Sequence, residues 1–121
     1  MNVALYHQKL AKALNRAGGL YTLSDILERL KDGRMQSFSH KNSFVVTQIS
    51  NFPRAKVVEI IILVGDLDDT PKLHEQVMTF AGKMEANAII AQGRYGWAGL
   101  AAKNGWHTVS QNYVFRKEVA A

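Results

Sequence analysis

Val57-Val58-Glu59-Ile60-Ile61-Ile62-Leu63-Val64 is an almost uninterrupted apolar run, rich in residues branched at Cβ, and it ends on Gly65-Asp66-Leu67-Asp68-Asp69. Branching at Cβ favours extended backbone, and a strand that is apolar at consecutive positions needs cover on both faces. The run therefore reads as the central strand of a sheet with helices on either side. Glu59 is its single ionisable residue.

Upstream, Phe44, Val45, Val46, Thr47 and Ile49 predict a strand over 43–49, and Asn51-Phe52-Pro53-Arg54 supplies the turn that would make it a hairpin with the central run. Downstream, Thr70 is the expected cap of a helix, Pro71 suits its first position, and Leu73, Val77, Phe80, Ala81 and Met84 form its apolar stripe. Ala88-Ile89-Ile90-Ala91 then reads as a short strand parallel to the central one. A short helix is expected over 96–103, ended by Asn104-Gly105, and a last strand over 108–119 with Val109, Tyr113 and Phe115 on one side.

Two helices are expected before the sheet. Val3, Tyr6, Leu10, Ala13 and Leu14 recur at helical spacing over 3–16, where Gly18 and Gly19 stop the pattern. Thr22 with Asp25 resembles a capping box for a second helix, whose buried face would be Leu23, Ile26, Leu27 and Leu30 and whose terminator would be Gly33.

The chain's 121 residues suit one domain with one core, expected to span 1–121 with the helix over 3–16 either completing it or docking on a neighbour. Hydrophobic residues at 47 % and charged residues at 21 % place it among folded globular chains. No apolar run approaches the roughly 20 residues that cross a bilayer, and the first residues lack a signal-peptide core, so neither membrane insertion nor export is expected. The absence of cysteine removes disulfides and thiolate metal sites. A net charge of +5 would suit phosphate, but the basic residues are scattered with no like-charge run longer than two, which argues against nucleic acid. His7, His40, His74 and His107 have no paired metal-ligand spacing. Neither a phosphate-binding Gly-x-x-x-x-Gly-Lys loop nor a Gly-x-Ser-x-Gly elbow is present.

The order of elements resembles the Gcn5-related N-acetyltransferase (GNAT) fold: hairpin strands, a central strand entering a loop, a long helix, a short strand, a short helix and a final strand. Gly93-Arg94-Tyr95-Gly96-Trp97, Gly105-Trp106 and Arg116-Lys117-Glu118-Val119 are similar to the ending of small acetyltransferase-like proteins of tailed bacteriophages. The resemblance covers residues 22–119. It implies an α/β (α+β) domain with a mixed central sheet, two N-terminal helices, one long helix and one short one.

What the resemblance implies for chemistry depends on each position. Active members hold the coenzyme A pyrophosphate on an Arg/Gln-x-x-Gly-x-Gly/Ala loop after the central strand; here that loop is Gly65-Asp66-Leu67-Asp68-Asp69-Thr70-Pro71, with three carboxylates and a proline that lacks an N–H. The family's general-acid Tyr, aligned on Gly105-Trp106, falls on Ala101. The expectation is a non-catalytic phage protein working through protein contacts in the virion or its assembly, in the virion or the host cytoplasm, with a phage or host protein or a second copy as partner and no cofactor. Arg94, Trp97 and Trp106 are its candidate contact residues, being of types that dominate interfaces. The alternative is an N-acetyltransferase moving an acetyl group from acetyl-CoA to an amine, with Glu59 as base, Tyr95 or Tyr113 as acid, and Val64 and Gly65 against the cofactor.

Overall fold

The computed structural model describes residues 7–16, 20–91, 103 and 105–107. The chain falls into two compact units, 1–91 and 92–121. In the first, two helices, α1 (His7–Arg16) and α2 (Leu23–Lys31), precede three strands, β1 (Met35–His40), β2 (Ser43–Phe52) and β3 (Ala55–Val64). A single 3-10 turn over Leu67–Asp69 leads into α3 (Thr70–Lys83), and β4 (Ala88–Ala91) follows. The sheet order is β1-β2-β3-β4, antiparallel between β1, β2 and β3 and parallel between β3 and β4.

The ends of these elements follow from local chemistry. At α2 the Thr22 hydroxyl accepts the Asp25 N–H at 3.2 Å and the Asp25 carboxylate accepts the Thr22 N–H at 2.8 Å, the reciprocal box expected from the sequence. Past the other end of α2, Gly33 takes φ +86, where a side chain would be disfavoured. Phe52 pairs with Ala55, which leaves Pro53 and Arg54 as the turn of the expected hairpin.

β3 is buried from both sides, as its composition requires. On one face Ile62 and Val64 join Phe44 and Val46 of β2, Met35 of β1, Leu10, Ala13 and Leu14 of α1, and Ile26 of α2. On the other, Val58 and Val45 pack with Leu73, Val77 and Ala81 of α3, with Phe38, Ile60, Leu63 and Ile89 around them. Pairing passes from Val46 with Ile62 to Thr47 with Ile60, so Ile61 is an extra residue on β3. This bulge explains why the adjacent Ile61 and Ile62 both pack toward α1 and α2 while Ile60 and Leu63 pack toward α3.

Two details depart from the sequence expectations. β1 was not foreseen: its apolar residues Met35 and Phe38 serve opposite faces, and Gln36 and Ser37 between them, with Ser39 after, break any alternation. Thr70 does not cap α3; Asp69 holds the N-cap position, and Thr70 already has helical φ −58 and ψ −42. The first helix is described from His7, so the expected start at Val3 lies outside the described residues, as do most of the expected short helix over 96–103 and the strand over 108–119.

Candidate functional site

The resemblance to the acetyltransferase fold implies ligand chemistry at the end of β3 and the loop that follows it. Among the described residues, β4 pairs with β3 from Val57 to Ile60. Val64 is buried in the core shared with α1 and α2, and Gly65 beyond it is exposed with φ +130.

The loop is closed on itself through Ser43, the first residue of β2. Ser43 Oγ accepts the Asp66 N–H at 2.8 Å and donates its own hydrogen to Asp69 Oδ2 at 2.6 Å. Both side chains are interior, Ser43 at 1 % exposure and Asp69 at 5 %. A Cβ added to Gly65 would lie 2.0 Å from Ser43 Oγ and 2.5 Å from its Cα. The close approach of β2 to the loop thus requires glycine there, independently of the positive φ.

Counting N–H groups decides what the loop can hold. The Asp66 N–H is taken by Ser43, the Asp69 N–H by the Asp66 carbonyl at 3.1 Å, the Thr70 N–H by the Leu67 carbonyl, and Pro71 has none. Asp69, though at the N-cap of α3, makes no side-chain cap bond because its carboxylate turns to Ser43. Asp66 and Asp68 are exposed beside it. A diphosphate needs free N–H donors and positive potential; here the Asp66, Asp69 and Thr70 donors are bonded, Pro71 has none, and three carboxylates set a negative potential. The residues present do not fit the pyrophosphate of acetyl-CoA. Thr70 Oγ1, buried and without a partner, is the orphaned polar atom of this region.

Glu59 is half-buried in β3, opposite Gln48 of β2 and Ile90 of β4. Strand alternation puts it on the face away from Val58 and Ile60, and so on the α1 and α2 side of the sheet. It makes no ion pair with Arg54 or Lys56, the described basic residues considered as its partners. In the second unit Trp106 is half-buried, and Gly105 before it takes φ +84. Tyr95, Tyr113, Arg94 and Trp97 lie outside the described residues.

Among the described residues no group of His, Asp and Glu is placed to hold a metal ion, and no helix is long and apolar enough to cross a membrane. Sequence reasoning singled out Gly65 and the three loop carboxylates but missed Ser43. Its signal is the register of β2 on β3, which sets Phe44 opposite Val64 and carries Ser43 to Gly65.

No family model and no curated protein sequence matches the chain. Solved structures do. An acetyltransferase from Trypanosoma brucei is similar at 12 % identity and TM-score 0.68, over 97 % of this chain and 96 % of that one. Glucosamine-6-phosphate N-acetyltransferase from Arabidopsis thaliana is similar at 13 % identity and TM-score 0.67, over 98 % and 95 %. Ribosomal-protein-alanine N-acetyltransferase from Brucella melitensis is similar at 12 % identity and TM-score 0.62, over 93 % and 94 %. The chain has the GNAT fold, an α+β arrangement around a mixed sheet, as its order of elements implied.

Proposed function

We propose that this GNAT-fold chain does not hold acetyl-CoA through the loop after its central strand, and that it works as a protein-binding module. The observation that carries the reading is the bonding of Ser43 to both Asp66 and Asp69, which occupies a backbone donor and buries a carboxylate where a diphosphate would need the reverse. Fold does not bring activity with it; the site decides, and the site here is altered. A role in a phage virion or its assembly, with a phage or host protein as partner, is supported by the C-terminal segments Gly93–Trp97 and Arg116–Val119.

A second reading, N-acetyl transfer to an amine, is favoured by the fold of the structural neighbours. Glu59, a half-buried carboxylate on the central strand, would be the group to accept the amine proton under that reading. The closed loop weighs against it.

Isothermal titration with acetyl-CoA at low salt separates the two. The result expected is no heat up to millimolar ligand, and a pull-down with the purified chain then identifies the protein partner. Binding in the micromolar range overturns the proposal in favour of acetyl transfer.

A further inference from the structure

Ser43 joins both ends of the loop that β3 and α3 leave between them. A serine hydroxyl has one hydrogen, and donating it to Asp69 leaves its lone pairs to accept the Asp66 N–H. The two bonds cross 26 and 23 positions of sequence, so the start of β2 fixes a loop that its own short-range contacts would leave adjustable. Asp at an N-cap ordinarily accepts from the first turn of its helix. Asp69 gives that up for Ser43 and is buried in doing so.

We infer that Ser43 and Asp69 form a latch that shuts this loop against anions, so that releasing the latch confers an affinity for the diphosphate of coenzyme A that the native chain lacks. The inference rests on the reading above, that the native loop does not hold acetyl-CoA. Two separable effects make up the latch. Ser43 occupies the Asp66 N–H, and Asp69 sets a negative charge next to it. Ser43→Ala releases the first. Asp69→Asn removes the second while an amide oxygen of the same size remains to accept from Ser43.

The test is titration of coenzyme A, and separately of inorganic pyrophosphate, into the native chain, Ser43→Ala, Asp69→Asn and the double variant at low salt. Hydrogen exchange at the Asp66 and Val58 amides is followed alongside. The latch predicts at least tenfold tighter binding in each single variant and more in the double. It also predicts at least tenfold faster exchange at Asp66 in Ser43→Ala, with Val58 in the core strand unchanged. Variants that keep native Val58 protection and gain no affinity overturn the latch. Should Ser43→Ala not fold, Asp69→Asn decides alone, because it preserves the Ser43 bond. Micromolar binding by the native chain defeats the underlying reading instead. An unchanged affinity in Asp69→Asn then defeats the latch as a separate result.

Discussion

Ser43 Oγ lies 2.6 Å from Asp69 Oδ2 in the interior, and the same oxygen lies 2.0 Å from where a side chain on Gly65 would begin. The first residue of β2 therefore bears on both the electrostatics of the loop after the central strand, through its hydroxyl, and the residue that loop can carry at its first position, through its backbone and side chain together.

Gly65→Ala is expected to destabilise the chain by about 3 kcal/mol, from overpacking against Ser43 and from a φ of +130 that L residues avoid. Urea denaturation checks this. The double variant Ser43→Gly/Gly65→Ala removes the Oγ and Cβ overlaps but keeps the 2.5 Å approach to the Cα of residue 43 and the backbone strain, so it should recover part of the loss and be more stable than the sum of the two single losses implies. Strict additivity would mean that the two residues do not meet.

Thr22→Ala is expected to cost about 1 kcal/mol, the usual loss on removing a helix cap. Its box also carries a pH signature. The Thr22 N–H, then the Thr22 hydroxyl, hold the Asp25 carboxyl below the ordinary carboxylate range, and the Arg34 N–H does the same for Asp32. A depressed folded-state value contributes stability above the unfolded value, about pH 4, and loses it as pH falls through the folded one. The stability gap between the native chain and Asp25→Asn should therefore be present at pH 7 and close as pH falls through the lowered folded-state value. A gap independent of pH would contradict the box.

The features legible in the sequence are those set by neighbours in the chain. The β-branched run at 57–64, the Pro53-Arg54 turn, the Thr22 box and the stripe of α3 each depend on residues within one element or one turn. β1 was hidden because its role is positional: two apolar residues on opposite faces and polar ones between them give no period. The Ser43 to Asp69 bond was hidden for a further reason. It depends on the register of β2 against β3, and the extra residue at Ile61 shifts that register midway, so no count from the hairpin turn arrives at it. The missing phosphate cradle was visible in the carboxylates at 66, 68 and 69, but what closes the loop was not.

Glu85 follows the C-cap of α3 with φ +56, the left-handed conformation in which glycine carries no Cβ penalty. Glu85→Gly is expected to raise stability by about 0.5–1 kcal/mol, the relief of strain exceeding the added freedom of the unfolded chain. Thermal unfolding at neutral pH checks the sign. A loss would mean that the Glu85 side chain contributes more than its backbone strain costs.

Glu59→Gln separates the two functional readings at the residue that would matter most to an enzyme. Glu59 is half-buried on β3, and the change keeps its size and removes its charge. With no ion pair to the described basic residues to lose, stability should move by no more than about 0.5 kcal/mol. Function should be equally indifferent under the binding-module reading. Incubated with acetyl-CoA and a panel of primary amines, both chains are expected to release thiol at the background rate, and both should retain the same partner in a pull-down. Transfer by the native chain that falls about a hundredfold in Glu59→Gln would assign this carboxylate a catalytic proton transfer and replace the binding-module reading with the enzymatic one.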